Sequence, residues 1–200
     1  AFAFAPVSDR LVAVDPTPEM LRIVEREAQA RGLTNIETLQ ATAESVPLPA
    51  DAFEGATCRL AAHHFIDQRA FLVETARVVR AGGWLLLVDT IGIDNPEADD
   101  ELDVIERLRD PSHVRCLTVD RWNELMVDCG FEVRQCETHA FPQNAPHWLD
   151  RMKVREPVRS QVLSLIANSS GWLREYFRPT GEGELLTFRL HQLTLVAQRR

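Results

Sequence analysis

The chain has 200 residues, 45% of them hydrophobic and 26% charged, the composition of one folded domain and not of a disordered chain. Its 22 Lys and Arg against 30 Asp and Glu give a formal charge of −8, and no Lys/Arg-rich run focuses a positive field, which speaks against a nucleic-acid partner. The longest apolar stretches, residues 84–88 and 193–197, are far below the roughly 20 residues that cross a bilayer, so no membrane span is expected.

Residues 1–5 are apolar but lack a basic lead-in, a long apolar region and an initiator Met, and so read as a start inside a longer element. Cys58, Cys116, Cys129 and Cys136 are widely spaced, without a Cys-x-x-Cys pair, so neither a zinc site nor a disulfide framework is encoded and no metal is expected. A reducing, cytoplasmic compartment fits that usage. No internal repeat, low-complexity segment or proline-rich linker divides the chain, and a single domain over residues 1–200 is expected.

Residues 11–14 (Leu-Val-Ala-Val) form a short apolar run ending at Asp15, the pattern of a buried parallel strand with a polar tip. Thr17 can cap the helix that follows, because Pro18 suits its first position and Glu19 complements the dipole. Leu21, Val24 and Ala28 recur at helical spacing until Gly32. The pattern repeats with strands at 36–39 and 56–60, a helix capped by Asp67 and running to Val79, and a Gly82-Gly83 turn into a strand at 84–88. Strands alternating with helices predict an α/β fold: a Rossmann-like open, mostly parallel sheet with helices on both faces. Beyond Asp89 the pattern predicts a charged helix at 97–109, a second from the Thr118 cap to Val127, and a strand at 131–138. Helical segments at 146–154 and 157–177, with a break at 168–171, precede an alternating last strand at 186–198. The helical material at 142–183 reads as an insertion on the sheet edge, a lid.

Four groups of residues could carry chemistry. Asp15 sits at a strand's carboxyl end, where open α/β sheets bind ligands and where a carboxylate can accept both hydroxyls of a ribose; a carboxylate that merely assists capping is the lesser alternative. Residues 41–49 (Ala-Thr-Ala-Glu-Ser-Val-Pro-Leu-Pro) pair small and polar residues, which let a flat purine approach, with prolines that fix the loop; a solvated linker is the alternative. Residues 58–65 (Cys-Arg-Leu-Ala-Ala-His-His-Phe) put two histidines at the next strand tip, too close in sequence for a helical metal pair but placed for proton transfer or for a structural role. Residues 107–115 (Arg-Leu-Arg-Asp-Pro-Ser-His-Val-Arg) could close over an anionic or polar substrate, or be surface charge around an Asp-Pro turn. Trp122, Trp148 and Trp172 read as packing.

Taken together, the sequence resembles the class I S-adenosylmethionine-dependent methyltransferases, in the branch similar to the ubiquinone/menaquinone-biosynthesis enzymes. The resemblance rests on residues 12–21 (Val-Ala-Val-Asp-Pro-Thr-Pro-Glu-Met-Leu), 43–49, 58–65, 71–88 with their Ala-Gly-Gly turn, and 109–115, in the family's order over roughly the first 140 residues. It implies an antiparallel last strand, S-adenosylmethionine as cofactor and a small-molecule acceptor. It places Asp15 on the ribose, Met20 beside the adenine, and Thr42, Ala43 and Glu44 around the adenine edge. Thr42 stands where the family more often has Asp or Asn, which weakens the expected bond to the adenine amino group. Arg59 and Leu60 would contact the methionine portion through their backbone, with His64 near the methyl group. His64 or His113 would serve as general base, and Arg109 and Arg115 would hold substrate.

The family begins with a strand and a D-x-G-x-G-x-G loop that cradles the cofactor, and neither is found in these residues; residues 1–6 resemble the tail of the helix that follows that loop. A sheet lacking that strand is expected to offer an unpaired edge along residues 11–14 or 56–60, prone to swapping, homodimer formation or aggregation. Two other readings are a non-catalytic remnant of the methyltransferase fold and, more distantly, an NAD-dependent oxidoreductase, since an acidic strand tip serves a ribose there as well.

Overall fold

Alternation of strand and helix governs the first half of the chain, for which, with the rest, the computed structural model describes residues 2–200. Strands β1 (Leu11–Asp15) and β2 (Ile36–Gln40) pair in parallel, with Asp15 opposite Gln40, so both carboxyl ends open on the same side. Helix α1 (Pro18–Ala30) crosses between them and buries Leu21 and Ala28. Thr17 occupies the capping position, but its hydroxyl makes no cap bond. Asp15 Oδ1 instead accepts from the Thr17 N–H at 2.8 Å, a short-range turn that a carboxylate two residues earlier makes readily.

Strand β3 (Phe53–Arg59) pairs in parallel with β4 (Val79–Thr90). Helix α2 (Gln68–Val78) joins them, its first turn capped by Asp67, which accepts from the Ala70 N–H at 2.9 Å. Strand β4 starts earlier than the Gly82-Gly83 turn implied, because that turn lies within the strand as an irregularity. Helices α3 (Pro96–Arg109) and α4 (Val119–Asp128) follow, capped by Asn95 and Thr118. The chain continues through β5 (Phe131–Asn144), α5 (Ala145–Asp150), α6 (Val158–Ala167), α7 (Gly171–Phe177) and β6 (Thr187–Arg199).

Strand β6 inserts between β4 and β5, antiparallel to both, giving the order β3-β4-β6-β5 in which β6 alone runs against its neighbours. The fold is thus an α/β, Rossmann-like, mostly parallel one with an antiparallel last strand. The sheet comes in two pieces: among the described residues β1 pairs only with β2, and β3 only with β4. The Arg10 guanidinium lies 5.8 Å from the Phe53 ring and the Phe4 ring 6.0 Å from that of Trp84, contacts that link the two pieces near the amino ends of β1 and β3. No residue of β1 is fully buried, whereas Leu85 and Leu87 of β4 are 0% exposed.

Two apolar clusters stabilise the chain. One packs Phe71 and Leu72 of α2 and Trp122 and Met126 of α4 against the sheet. The other joins Leu102 and Ile105 of α3 to Trp148, Ile166, Phe177 and Phe188. Each such buried side chain contributes about 1.5–3 kcal/mol relative to exposure. The helical segment before the last strand therefore has a core of its own, shared with α3. Its helices begin at Ala145, a little later than residue 142, because β5 keeps pairing with β6 as far as Asn144 opposite Thr187.

Candidate active site

The carboxyl ends of β1 to β4 present four short segments on one side of the fold. Asp15 ends β1, and Gln40 at the end of β2 donates to the Pro16 carbonyl at 3.2 Å. The turn at Thr42 and Ser45 then leads into a loop held from below by α2. Glu74 accepts from the Val46 N–H at 2.7 Å, and Arg77 donates to the Leu48 carbonyl at 2.7 Å and to the Val46 carbonyl at 3.0 Å. The Arg77 guanidinium, bonded to Glu74 at 2.7 Å, keeps that carboxyl below its ordinary range, so the clamp is charged near neutral pH. Glu44 reaches across to accept from the Ile66 N–H at 3.0 Å, tying this loop to the segment after β3.

That segment turns sharply. Leu60 takes a left-handed conformation (φ 52°), and residues Ala62–His64 form a short 3-10 turn that carries both histidines. Asp89, 1% exposed at the end of β4, organises the turn. Its Oδ2 accepts from the His63 N–H at 2.9 Å, while its Oδ1 accepts from the Thr90 N–H at 2.8 Å and lies 2.5 Å from His63 Nδ1. A carboxylate can only accept, so Nδ1 carries the proton and Nε2 is left as the acceptor. Burial lowers the His63 pKa, but the hydrogen bond and charge of Asp89, with the charges of Glu106 and Asp110, outweigh it and leave it above 6.5. The His63 carbonyl in turn accepts from the Val114 and Arg115 N–H groups at 2.9 and 3.1 Å, so the 110–115 loop braces the turn.

A cavity of about 260 Å³ opens beside this turn, between the tips of β3 and β4, α3 and α5. His63, His64, Glu106, Arg109, Trp148 and Arg151 carry its chemistry. Arg109 stacks on the Trp148 ring at 4.4 Å, donates through Nε to the Trp148 carbonyl at 3.3 Å, and stands 3.8 Å from Glu106. Burial pushes the Glu106 carboxyl upward, partly offset by Arg109. Among the described residues the Arg151 side chain bonds only to Gln143, at 2.9 Å, and has no carboxylate partner.

Of the residues singled out from the sequence, Leu60, His64 and Arg109 meet in this cavity. His64 Nδ1 lies 3.1 Å from the Ser112 carbonyl and Nε2 4.0 Å from Asp110, and burial lowers its pKa. His113 does not line the cavity: it is buried, with Nε2 2.8 Å from Asp103 and Nδ1 without a partner. Arg115 also points elsewhere, bonding Asp99 at 2.6 Å and tying its loop to α3. Asp15 ends β1, Met20 lies in the first turn of α1, and Thr42 and Ala43 lie on the loop after β2, with Met20 and Thr42 exposed and Ala43 packed on the main core, while Arg59 is exposed on β3. Sequence reasoning weighed His63 only as one of the adjacent pair and put the base at His64 or His113, and it passed over Asp89, Glu106 and Arg151. The signal for Asp89 was available, since it ends an apolar run just as Asp15 does. Among the described residues no group of three or more His, Cys, Asp or Glu is arranged to hold a metal ion.

The fold thus sets Asp15 at the carboxyl end of β1 and, near the end of β4, a carboxylate that holds the His63 ring. Residues 1–87 match the family described as "Methyltransferase domain". The chain is 32% identical over 202 aligned positions to an uncharacterized methyltransferase, YcgJ, of Bacillus subtilis (strain 168), covering 100% of this chain and 80% of that protein. The crystal structure of YcgJ superposes with a TM-score of 0.93, covering 100% of this chain and 86% of that one. That of a putative methyltransferase from Bacillus halodurans C-125 gives 0.92 at 29% identity, over 98% and 85%. A demethylmenaquinone methyltransferase of Thermus thermophilus is 37% identical over 79 residues, 40% of this chain and 36% of that protein. The chain belongs to the class I S-adenosylmethionine-dependent methyltransferases. Within that class it aligns along its whole length with YcgJ, and over a shorter stretch with the menaquinone enzymes.

Proposed function

We propose that this chain transfers the methyl group of S-adenosylmethionine to a small-molecule acceptor bound in the cavity, with His63 as the general base. The observation that carries the reading is Asp89, which fixes both the backbone and the ring of His63 and leaves Nε2 without a hydrogen-bond partner among the described residues, beside the cavity. The residues after β1, β2 and β3 suit the cofactor. Asp15 Oδ2, without a partner among the described residues, can accept from ribose hydroxyls, Met20 and Ala43 offer apolar contact to a flat base, and the exposed Thr42 hydroxyl can bond its edge. When bound, S-adenosylmethionine supplies an electrophilic methyl group. The chain supplies alignment and a dry setting. His63 Nε2 takes the proton that the acceptor nucleophile gives up, and Asp89 stabilises the resulting imidazolium, while Trp148 and Leu190 shield the acceptor from water. Four free cysteines, three of them buried, support a reducing cytoplasmic setting.

Calorimetric titration of S-adenosylhomocysteine, with NADH as control, tests the reading. Saturable binding of about one per chain, weakened on the order of 10-fold by Asp15→Ala as expected for lost bonds to a charged acceptor, supports it. Binding of NADH alone, or of neither ligand, refutes it.

A further inference from the structure

The cavity has two chemically different ends, and their pairing limits the acceptor. At one end stands the Asp89-held His63, which needs an acidic proton to take. At the other, Arg109 and Arg151 are near enough that each opposes the other's charge. Two carboxyls face Arg109: Glu106, 3.8 Å away, whose burial pushes it toward its neutral form, and Asp110, which also lines the cavity and is engaged by Ser112. Arg151 is exposed at the cavity rim and, with no ion-pair partner among the described residues, its Nη2 rests on the neutral Gln143 amide. Arg151 thus stands at this end as a guanidinium without a carboxylate partner among the described residues, in a chain whose overall charge is −8. Between the two ends, Leu60, Trp148, Met152 and Leu190 give an apolar body, and the volume of about 260 Å³ restricts the ligand to a small molecule.

Resting on the methyltransferase reading above, we propose that the acceptor is a small hydroxy acid, its carboxylate held by Arg151 and Arg109 and its hydroxyl presented to His63. A forked guanidinium suits a carboxylate better than it suits a neutral carbonyl, and the stacking of Arg109 on Trp148 fixes that fork in place. In the reaction the hydroxyl oxygen forms a bond to the methyl carbon as the carbon–sulfur bond breaks. The bonding pair stays on sulfur, leaving neutral S-adenosylhomocysteine. The hydroxyl proton passes to His63 Nε2 and from there to solvent, so a methyl ether and one proton are the products.

The test uses four probes, salicylate, 3-hydroxybenzoate, 4-hydroxybenzoate and 4-hydroxyphenylacetate, each compared with its carboxamide by calorimetry on the chain saturated with S-adenosylhomocysteine. At least one acid should bind about 10-fold or more tighter than its amide, the usual worth of a bond to a charged partner. Arg151→Gln, at an exposed position that does not endanger the fold, should remove most of that difference while leaving the amides and S-adenosylhomocysteine unaffected. If no acid exceeds its amide, or if Arg151→Gln weakens acid and amide alike, the proposal is overturned. Failure of S-adenosylhomocysteine itself to bind strikes at the methyltransferase reading instead, so the two failures are separable.

Discussion

Replacing Asp89 with Asn probes the centre of the site at nearly constant volume. In the native chain Asp89 accepts three hydrogen bonds, from the His63 N–H, the Thr90 N–H and His63 Nδ1. Asparagine keeps one accepting oxygen but turns the other into a donor, so one N–H loses its acceptor, at a cost of about 1–3 kcal/mol. The Asp89 carboxylate raises the His63 pKa through its hydrogen bond and its charge. Burial stays in the variant and opposes the charged ring, leaving only the charges of Glu106 and Asp110 to favour it, so the His63 pKa should fall. Linkage gives the sign for stability. A histidine raised in the folded state stabilises fully below its unfolded value and loses that contribution as pH rises through its folded value. The stability gap between native and variant should therefore be wider at mildly acidic pH than at alkaline pH. Proton NMR titration of the six histidine rings, with His63 assigned by His63→Gln, measures the pKa directly, and urea unfolding at two pH values measures the gap. A His63 midpoint unchanged or raised in Asp89→Asn refutes the reasoning.

Other consequences are open to direct measurement. Methyl transfer should rise with pH along a limb whose midpoint lies above 6.5, as His63 loses its proton under the charges of Asp89, Glu106 and Asp110; His64→Gln should keep that limb and His63→Gln abolish it. A limb that survives His63→Gln sinks the assignment. Arg77→Ala should free the Val46 and Leu48 carbonyls and weaken S-adenosylhomocysteine binding several-fold, at an order-of-magnitude cost of about 1 kcal/mol per bond, seen by calorimetry; unchanged affinity would separate that loop from the cofactor. A Cβ on Gly92 would stand 2.4 Å from Asp99 Oδ1 and 2.8 Å from the Cys116 carbonyl, so Gly92→Ala should destabilise by about 1–3 kcal/mol in urea unfolding, and a neutral result would contradict the packing there. With an edge of β1 and an edge of β3 lacking partners among the described residues, the 200-residue chain should self-associate as concentration rises, and a purely monomeric sedimentation profile would argue against it.

Most of the fold was legible because its signals are local. The apolar run before Asp15, the caps at Asp67 and Thr118, and the break before Gly171 all appear in the structure near their expected places. Strand β5 was read too short, because its outer half is largely exposed and pairs with β6 by backbone bonds that leave little hydrophobic alternation. The site was less legible. Of the neighbouring His63 and His64, only the first meets Asp89, and this follows from the left-handed Leu60 and the tight turn after it, which no periodicity encodes. His113 has the residue type of a base but is spent on Asp103 in the interior. Arg151 enters the cavity only because α5 packs Trp148 into the second core, a tertiary event invisible to spacing.

The central claim is that one edge of the sheet holds the cofactor and delivers its methyl group to the cavity beside His63. A crystal structure with S-adenosylhomocysteine bound tests it most directly. The account predicts the ribose hydroxyls on Asp15 and the sulfur opening toward the cavity lined by Leu60 and His63. A ligand whose ribose avoids Asp15, or whose sulfur faces away from that cavity, would contradict it.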